Sequence, residues 1–330
     1  MTAEAPAHPL RATGRAGATA SIGLGVLGAL FFSASFIANR MMAVGGGAWE
    51  WTGALRFLFS LPILLAIVGA RGGVRPVLRA LRADPLPWTL WSTVGFGFFY
   101  APLCLAADLA PGWTVAATWQ VTIVCGMLLA PLLYDDERGR IPGRGAALSL
   151  LILAGVFLSQ VGGHGGTPAG AAGGAAVVLV AAVAYPVGNR RTMELAGARL
   201  DTFQRLLAMS VGSLPFWLAV AAAGGVRAGA PTSGQLLASL VVAVSSGVIA
   251  TSLFFAATHR VRRHPLRLAA VEATQAAEVV FVALLEPLFT ATDPPGAVAW
   301  TGIAAIALGV VLYAFAGRPA PRGMMSFFCQ

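Results

Sequence analysis

Leu268–Phe289 reads LAAVEATQAAEVVFVALLEPLF, an apolar run long enough to cross a bilayer that still holds Glu272, Gln275, Glu278 and Glu286. Three of the chain's thirteen acidic residues fall in this one segment. A carboxylate at bilayer depth costs roughly 2.5–3.5 kcal/mol on insertion scales, so it faces protein or water rather than lipid. Acids held at such depth are candidates for a substrate or proton site. They point to transport.

The whole chain has the composition that such a segment implies. Its apolar fraction is 57%, its charged fraction 11% and its mean hydropathy +0.78. A soluble domain carries about 25% charged residues; this chain cannot cover itself with a polar surface, so lipid is its main solvent. All 22 basic residues are arginine. A pI near 10.9 would suit a nucleic-acid partner, but the arginines cluster in short loops between apolar runs, which argues against one. Cys104, Cys125 and Cys329 have the spacing of neither a metal site nor a disulfide framework. No cofactor or metal is expected.

Taking about 20 apolar residues per crossing, the sequence predicts ten spans: 18–38, 51–70, 86–107, 113–134, 145–161, 173–189, 202–224, 236–258, 268–289 and 297–317. The run that begins near Ala18 is too long for a simple signal core and is read as an uncleaved first helix. Orientation follows from the arginines. With the N-terminus inside, eighteen fall in inner segments against two at the outer side, and Arg56 and Arg205 lie within helices. Both termini are therefore expected in the cytoplasm, with a bacterial cytoplasmic membrane as the setting.

An internal repeat supports the same count. Phe36-Ile-Ala-Asn39-Arg40 resembles Pro186-Val-Gly-Asn189-Arg190, Ser60-Leu61-Pro62 recurs as Ser213-Leu214-Pro215, and Ala130-Pro131-Leu132-Leu133 recurs as Glu286-Pro287-Leu288-Phe289. The offsets are 150, 153 and 156 residues. Five crossings is an odd number, so the halves must be threaded oppositely, which places a substrate site near the midplane between them. The predicted organisation is a cytoplasmic tail (1–17), a first five-helix repeat (18–161), an outside linker (162–172), a second five-helix repeat (173–317) and a second cytoplasmic tail (318–330). The fold class is an all-α integral membrane protein with ten helices in a 5+5 inverted repeat.

Four segments carry a family resemblance: Trp49-Glu-Trp51…Arg56…Leu61-Pro62, Ala117-Thr118-Trp119-Gln120…Gly126…Pro131, Tyr185-Pro186-Val-Gly188-Asn189-Arg190, and Ala270-Val-Glu272-Ala-Thr-Gln275-Ala-Ala-Glu278. Together they resemble the drug/metabolite transporter superfamily, its EamA-like ten-helix proteins and, within it, the multidrug-resistance efflux branch. The resemblance covers roughly Ile22 to Phe315. It implies the fold strongly and the substrate poorly.

On an ideal helix, Glu272, Gln275 and Glu286 fall within about 60° of one another, and Glu278 sits about 120° from Glu272. A proton-coupled carrier needs a carboxyl that can lose and regain its proton, and the deeper Glu278 is the stronger candidate. Glu272 and Glu286 can alternatively reach headgroup water at the interfaces, and Gln275 can simply bond a neighbouring helix. Arg56, the sole charge in Thr52–Ala70, wants a carboxylate at that depth, with Glu278 or Glu272 as partner; a structural tie or snorkelling is the alternative. Arg205 reads as an interfacial anchor.

Trp119 and Gln120 lie on the fourth span, the repeat-mate of the ninth, where an aromatic face beside carboxyls would suit an organic cation. Trp49, Trp51, Trp88, Trp91 and Trp113 read as interfacial anchors at helix ends. Tyr185 precedes a helix-kinking Pro186, with Asn189 one turn on. The expected site is thus Glu272, Gln275, Glu278, Glu286, Arg56, Trp119, Gln120, Tyr185 and Asn189.

A channel or membrane scaffold is the nearest alternative, and an enzyme the remotest. His8, His164, His259 and His264 all sit in tails or loops, and no HExxH, GxSxG or GxxxxGK[ST] pattern occurs. The reading is a secondary active transporter exporting small organic molecules, with protons as the coupling ion. One chain already contains both halves of a cavity, so a monomer suffices, though a homodimer is equally open.

Overall fold

In hydrocarbon every backbone N–H and C=O must find its partner within the chain, so long apolar runs fold as helices. The computed structural model of the chain describes residues 15–135, 141, 143–161, 168–197, 199–261, 270–271 and 273–316, and its regular elements there are all helical. In order they are α1 (Arg15–Val44), α2 (Trp49–Ala70), α3 (Val74–Ala83), α4 (Pro85–Ser92), α5 (Phe98–Leu109), α6 (Gly112–Trp119), α7 (Val121–Leu128), α8 (Ala130–Leu133), α9 (Gly143–Val161) and α10 (Pro168–Ala196). They continue with α11 (Thr202–Gly212), α12 (Leu214–Ala228), α13 (Ser233–Val242), α14 (Thr251–Val261), α15 (Ala277–Phe289) and α16 (Ala297–Ala316). Glu272 and most of the expected 162–172 linker lie outside the described residues.

Among the described residues, seven helices are long and apolar enough to cross a membrane, and α11 with α12 make an eighth, bent by 46°. The bend follows Ser213-Leu214-Pro215, where proline removes a helical donor. The expected fourth and ninth spans are not single helices. The fourth breaks at Gln120, where i→i−3 bonds (Gln120 N–H to Ala117 O, Ile123 N–H to Gln120 O) replace the α-helical ladder. The ninth passes through a 3₁₀ turn, Thr274–Ala276, before α15. Both irregularities coincide with a glutamine, Gln120 and Gln275. A second pair recurs in the same manner: π-helical turns at Thr93–Gly97 and Ala243–Ala250, 150 residues apart at their starts.

Small residues let these helices approach closely. A methyl on Gly302 would stand 2.5 Å from the carbonyl of Gly155, so α9 and α16 meet backbone to backbone. Gly188 of α10 meets Gly95 in the π turn the same way, which holds Tyr185 and Asn189 against the α4–α5 helix. Pro186 sits inside α10 and leaves the carbonyl of Ala182 without its helical donor; the Thr122 hydroxyl of α7 supplies one at 3.2 Å.

The main core gathers Trp113, Tyr100, Trp217, Phe57, Ile152 and Ile303, with Phe57 stacked on Trp217 at 4.7 Å. Two tryptophans read as interfacial anchors are core residues instead: Trp88 is 1% exposed and Trp113 is fully enclosed. Each begins a helix that other helices surround, so its ring meets protein rather than headgroups.

Candidate functional site

Between α1, α2, α5, α7, α10, α11, α14 and α15 lies a cavity of about 480 Å³. That is room for a drug-sized molecule. Seven of the nine expected residues line it: Arg56, Trp119, Gln120, Tyr185, Asn189, Gln275 and Glu278. Among the described residues Glu278 is the cavity's one carboxyl. It is 6% exposed and makes no hydrogen bond or salt bridge there. Of the two partners expected for Arg56, Glu278 forms no ion pair with it, although Arg56 lies close enough to act on it electrostatically, and Glu272 lies outside the described residues. The Arg56 guanidinium instead rests over the Tyr100 ring, 4.0 Å from its centroid. Tyr100 donates to Asn39 Oδ1 at 3.0 Å, and Asn39 Nδ2 donates to Cys104 Sγ at 3.8 Å.

An aromatic wall faces these polar groups. Phe99, Trp119 and Tyr185 have centroids 4.9–5.4 Å apart, in tilted and edge-on arrangements. Trp119 is therefore a cavity residue and not an interfacial anchor. Gln120 is buried and bonds back only weakly, to Ala116 O at 3.5 Å. Gln275 points an amide nitrogen that is buried and has no partner.

Glu286 is elsewhere. It is fully enclosed, and both oxygens accept from the start of α6: Gly112 N–H to Oε1 and Trp113 N–H to Oε2, each at 2.7 Å. The first N–H groups of a helix have no internal acceptor, and a carboxylate satisfies them while matching the helix dipole. Gly112 permits the approach, because a methyl there would lie 3.0 Å from Phe36 O and 3.2 Å from the Glu286 carboxyl. Glu286 therefore reaches neither headgroup water nor the cavity.

Near this clamp the bundle is tied in further places. Arg227 donates to both oxygens of Glu50 at 2.6 and 2.7 Å, Trp51 Nε1 donates to Gly229 O, and Gln235 Nε2 donates to Ala48 O and the Thr52 hydroxyl. At the opposite end, Arg71 meets Asp201 at 3.7 Å on the surface. The cavity wall extends toward that end, to Arg205 within the first turn of α11.

Arg205, expected as an interfacial anchor, lines the cavity: it is half-buried, and its side chain has no hydrogen bond or ion pair among the described residues. Asn39 and Ser60 also line it. The repeat could have flagged Asn39, the counterpart of Asn189 at an offset of 150 residues.

A family model described as "Putative multidrug resistance efflux transporter" (EmrE) matches residues 19–318, nearly the whole chain. The chain belongs to this EmrE-like efflux transporter family. It is 46% identical over 310 residues to the uncharacterized protein YjlA of Bacillus subtilis, covering 91% of this chain and 95% of that one. An uncharacterized 42.1 kDa protein of Shouchella clausii is 46% identical over 261 residues, 77% of this chain and 69% of its own length. A protein of known crystal structure aligns over 90% of this chain and 98% of its own, with a TM-score of 0.58 at 21% identity, which speaks to the fold alone. Membership in an efflux transporter family implies a multi-pass membrane transporter of small molecules rather than an enzyme.

Proposed function

We propose that the chain is a secondary exporter of small organic molecules in a bacterial cytoplasmic membrane, exchanging cargo for protons. The observation that carries this reading is Glu278: an acid whose side chain has no bonding partner among the described residues, on the wall of a cavity between helices of both predicted halves. Buried acids that serve only structure are normally hydrogen-bonded, as Glu286 is. With both termini in the cytoplasm, the Glu50–Arg227 end faces outward and is tied shut, and the cavity faces the cytoplasm. Alternating access would open the tied end and close the other, with the two five-helix halves rocking about the shared site. Glu278 then takes up a proton on one side of the membrane and gives it up on the other. Gln120, Gln275, Asn189 and the aromatic wall orient the cargo. A monomer contains every wall of this site.

The test is transport by purified protein in sealed proteoliposomes. A proton gradient alone should drive saturable uptake against the gradient, and a protonophore should abolish it. A requirement for ATP, or flux indifferent to the proton gradient, would remove the coupling.

A further inference from the structure

We propose that the cargo carries an anionic head group, held by Arg56 and Arg205, on an aromatic or branched apolar body; this rests on the export reading above and names the class of molecule exported. Arginine does not deprotonate in proteins, so both guanidiniums stay charged wherever they sit. Arg56 comes from α2 and Arg205 from α11, and both line the same cavity. Neither has a carboxylate within ion-pair reach among the described residues. Beside Arg56 lie the faces of Tyr100 and Phe57, and the group that Arg205 acts on is Tyr185, a neutral phenol. Against these two fixed cations the described wall has one acid, Glu278.

The described wall therefore carries an excess of one positive charge with Glu278 ionised, and of two with it protonated. A cationic cargo meets that excess. A carboxylate or phosphonate cancels it and finds planar forks shaped for two-point binding. The aromatic trio of Phe99, Trp119 and Tyr185 offers an apolar wall for the rest of the molecule. The two arginines can hold the head in either protonation state of Glu278.

The experiment uses one body with four heads: 3-phenylpropionate, 3-phenylpropylphosphonate, 3-phenylpropylamine and 3-phenylpropanol, assayed for saturable counterflow in proteoliposomes of the full chain. At least one of the two anions should be carried with an apparent affinity tenfold or more above the amine and the alcohol, and which anion wins identifies the head. Arg56→Gln and Arg205→Gln should each weaken the anion at least tenfold and the alcohol much less. Arg205→Lys, which keeps the charge and loses the fork, should fall between. Melting temperatures in detergent verify that each variant is folded. An amine carried as well as the anions, or anion transport unaltered in both glutamine variants, overturns the anionic head and leaves the exporter standing. No saturable flux of any of the four overturns the cargo class, and survival of proton-driven uptake of another solute then shows that the exporter reading holds without it.

Discussion

Glu278 and Glu286 share one helix, eight residues apart, which is about 12 Å along the axis and about 80° around it. Both are buried acids in an apolar run, yet their surroundings have nothing in common. Glu286 is gripped by two backbone N–H groups from a chain segment more than 170 residues away and touches no water-sized space. Glu278 has an open cavity before it and no bonding partner. The difference lies in what the facing helix offers. The start of α6 presents donors that need an acceptor. The wall opposite Glu278 presents aromatic faces and an arginine that rests on a ring.

The contrast predicts opposite phenotypes. Glu278→Gln should abolish proton-driven uptake in proteoliposomes while the melting temperature stays near that of the parent, because no hydrogen bond among the described residues is lost. Undiminished uptake would move the proton site to another residue. Glu286→Ala should do the reverse. Two charge-assisted hydrogen bonds are worth about 1.5–3 kcal/mol each, so thermal unfolding in detergent should show a loss of about 3 kcal/mol or more. Glu286→Gln, which still offers one acceptor oxygen, should lose roughly half as much, and an unchanged melting curve for both would show that the clamp contributes nothing.

A milder probe of the same clamp is Gly112→Ala. The added methyl presses on Phe36 O and the Glu286 carboxyl, and overpacking of this kind costs about 1–3 kcal/mol. The smallest effect is expected from Gln275→Leu. Its amide nitrogen has no partner to lose, so stability should hold while the apparent affinity for cargo shifts a few-fold. A melting temperature that falls instead would make Gln275 a structural residue.

How far these outcomes were legible in the sequence differs between the two acids. Glu278 was found because intramembrane charge is scarce and its depth could be counted. Glu286 was set on the same side as Gln275 by assuming an ideal helix throughout. The 3₁₀ turn at Thr274–Ala276 breaks that count, since each of its residues turns about 120° rather than 100°. Its partners, Gly112 and Trp113, belong to another span, and no periodicity within the ninth span could reveal them. Arg205 was misassigned for a related reason. Nearness to a helix end suggests snorkelling, but that argument cannot see a cavity reaching toward the same end.

The helical fold class was readable from apolar length alone, and the recurrence of Asn39 and Asn189 could have joined two sides of the cavity. The broken fourth helix was not, because Trp119-Gln120 contains no proline or glycine to mark it.

The bond from the Thr122 hydroxyl to the Ala182 carbonyl makes two distant positions genetically inseparable. Valine at 122 should be harmful while proline stays at 186 and close to silent once alanine replaces it. A lesion on one helix would thus be cured by a change on its neighbour.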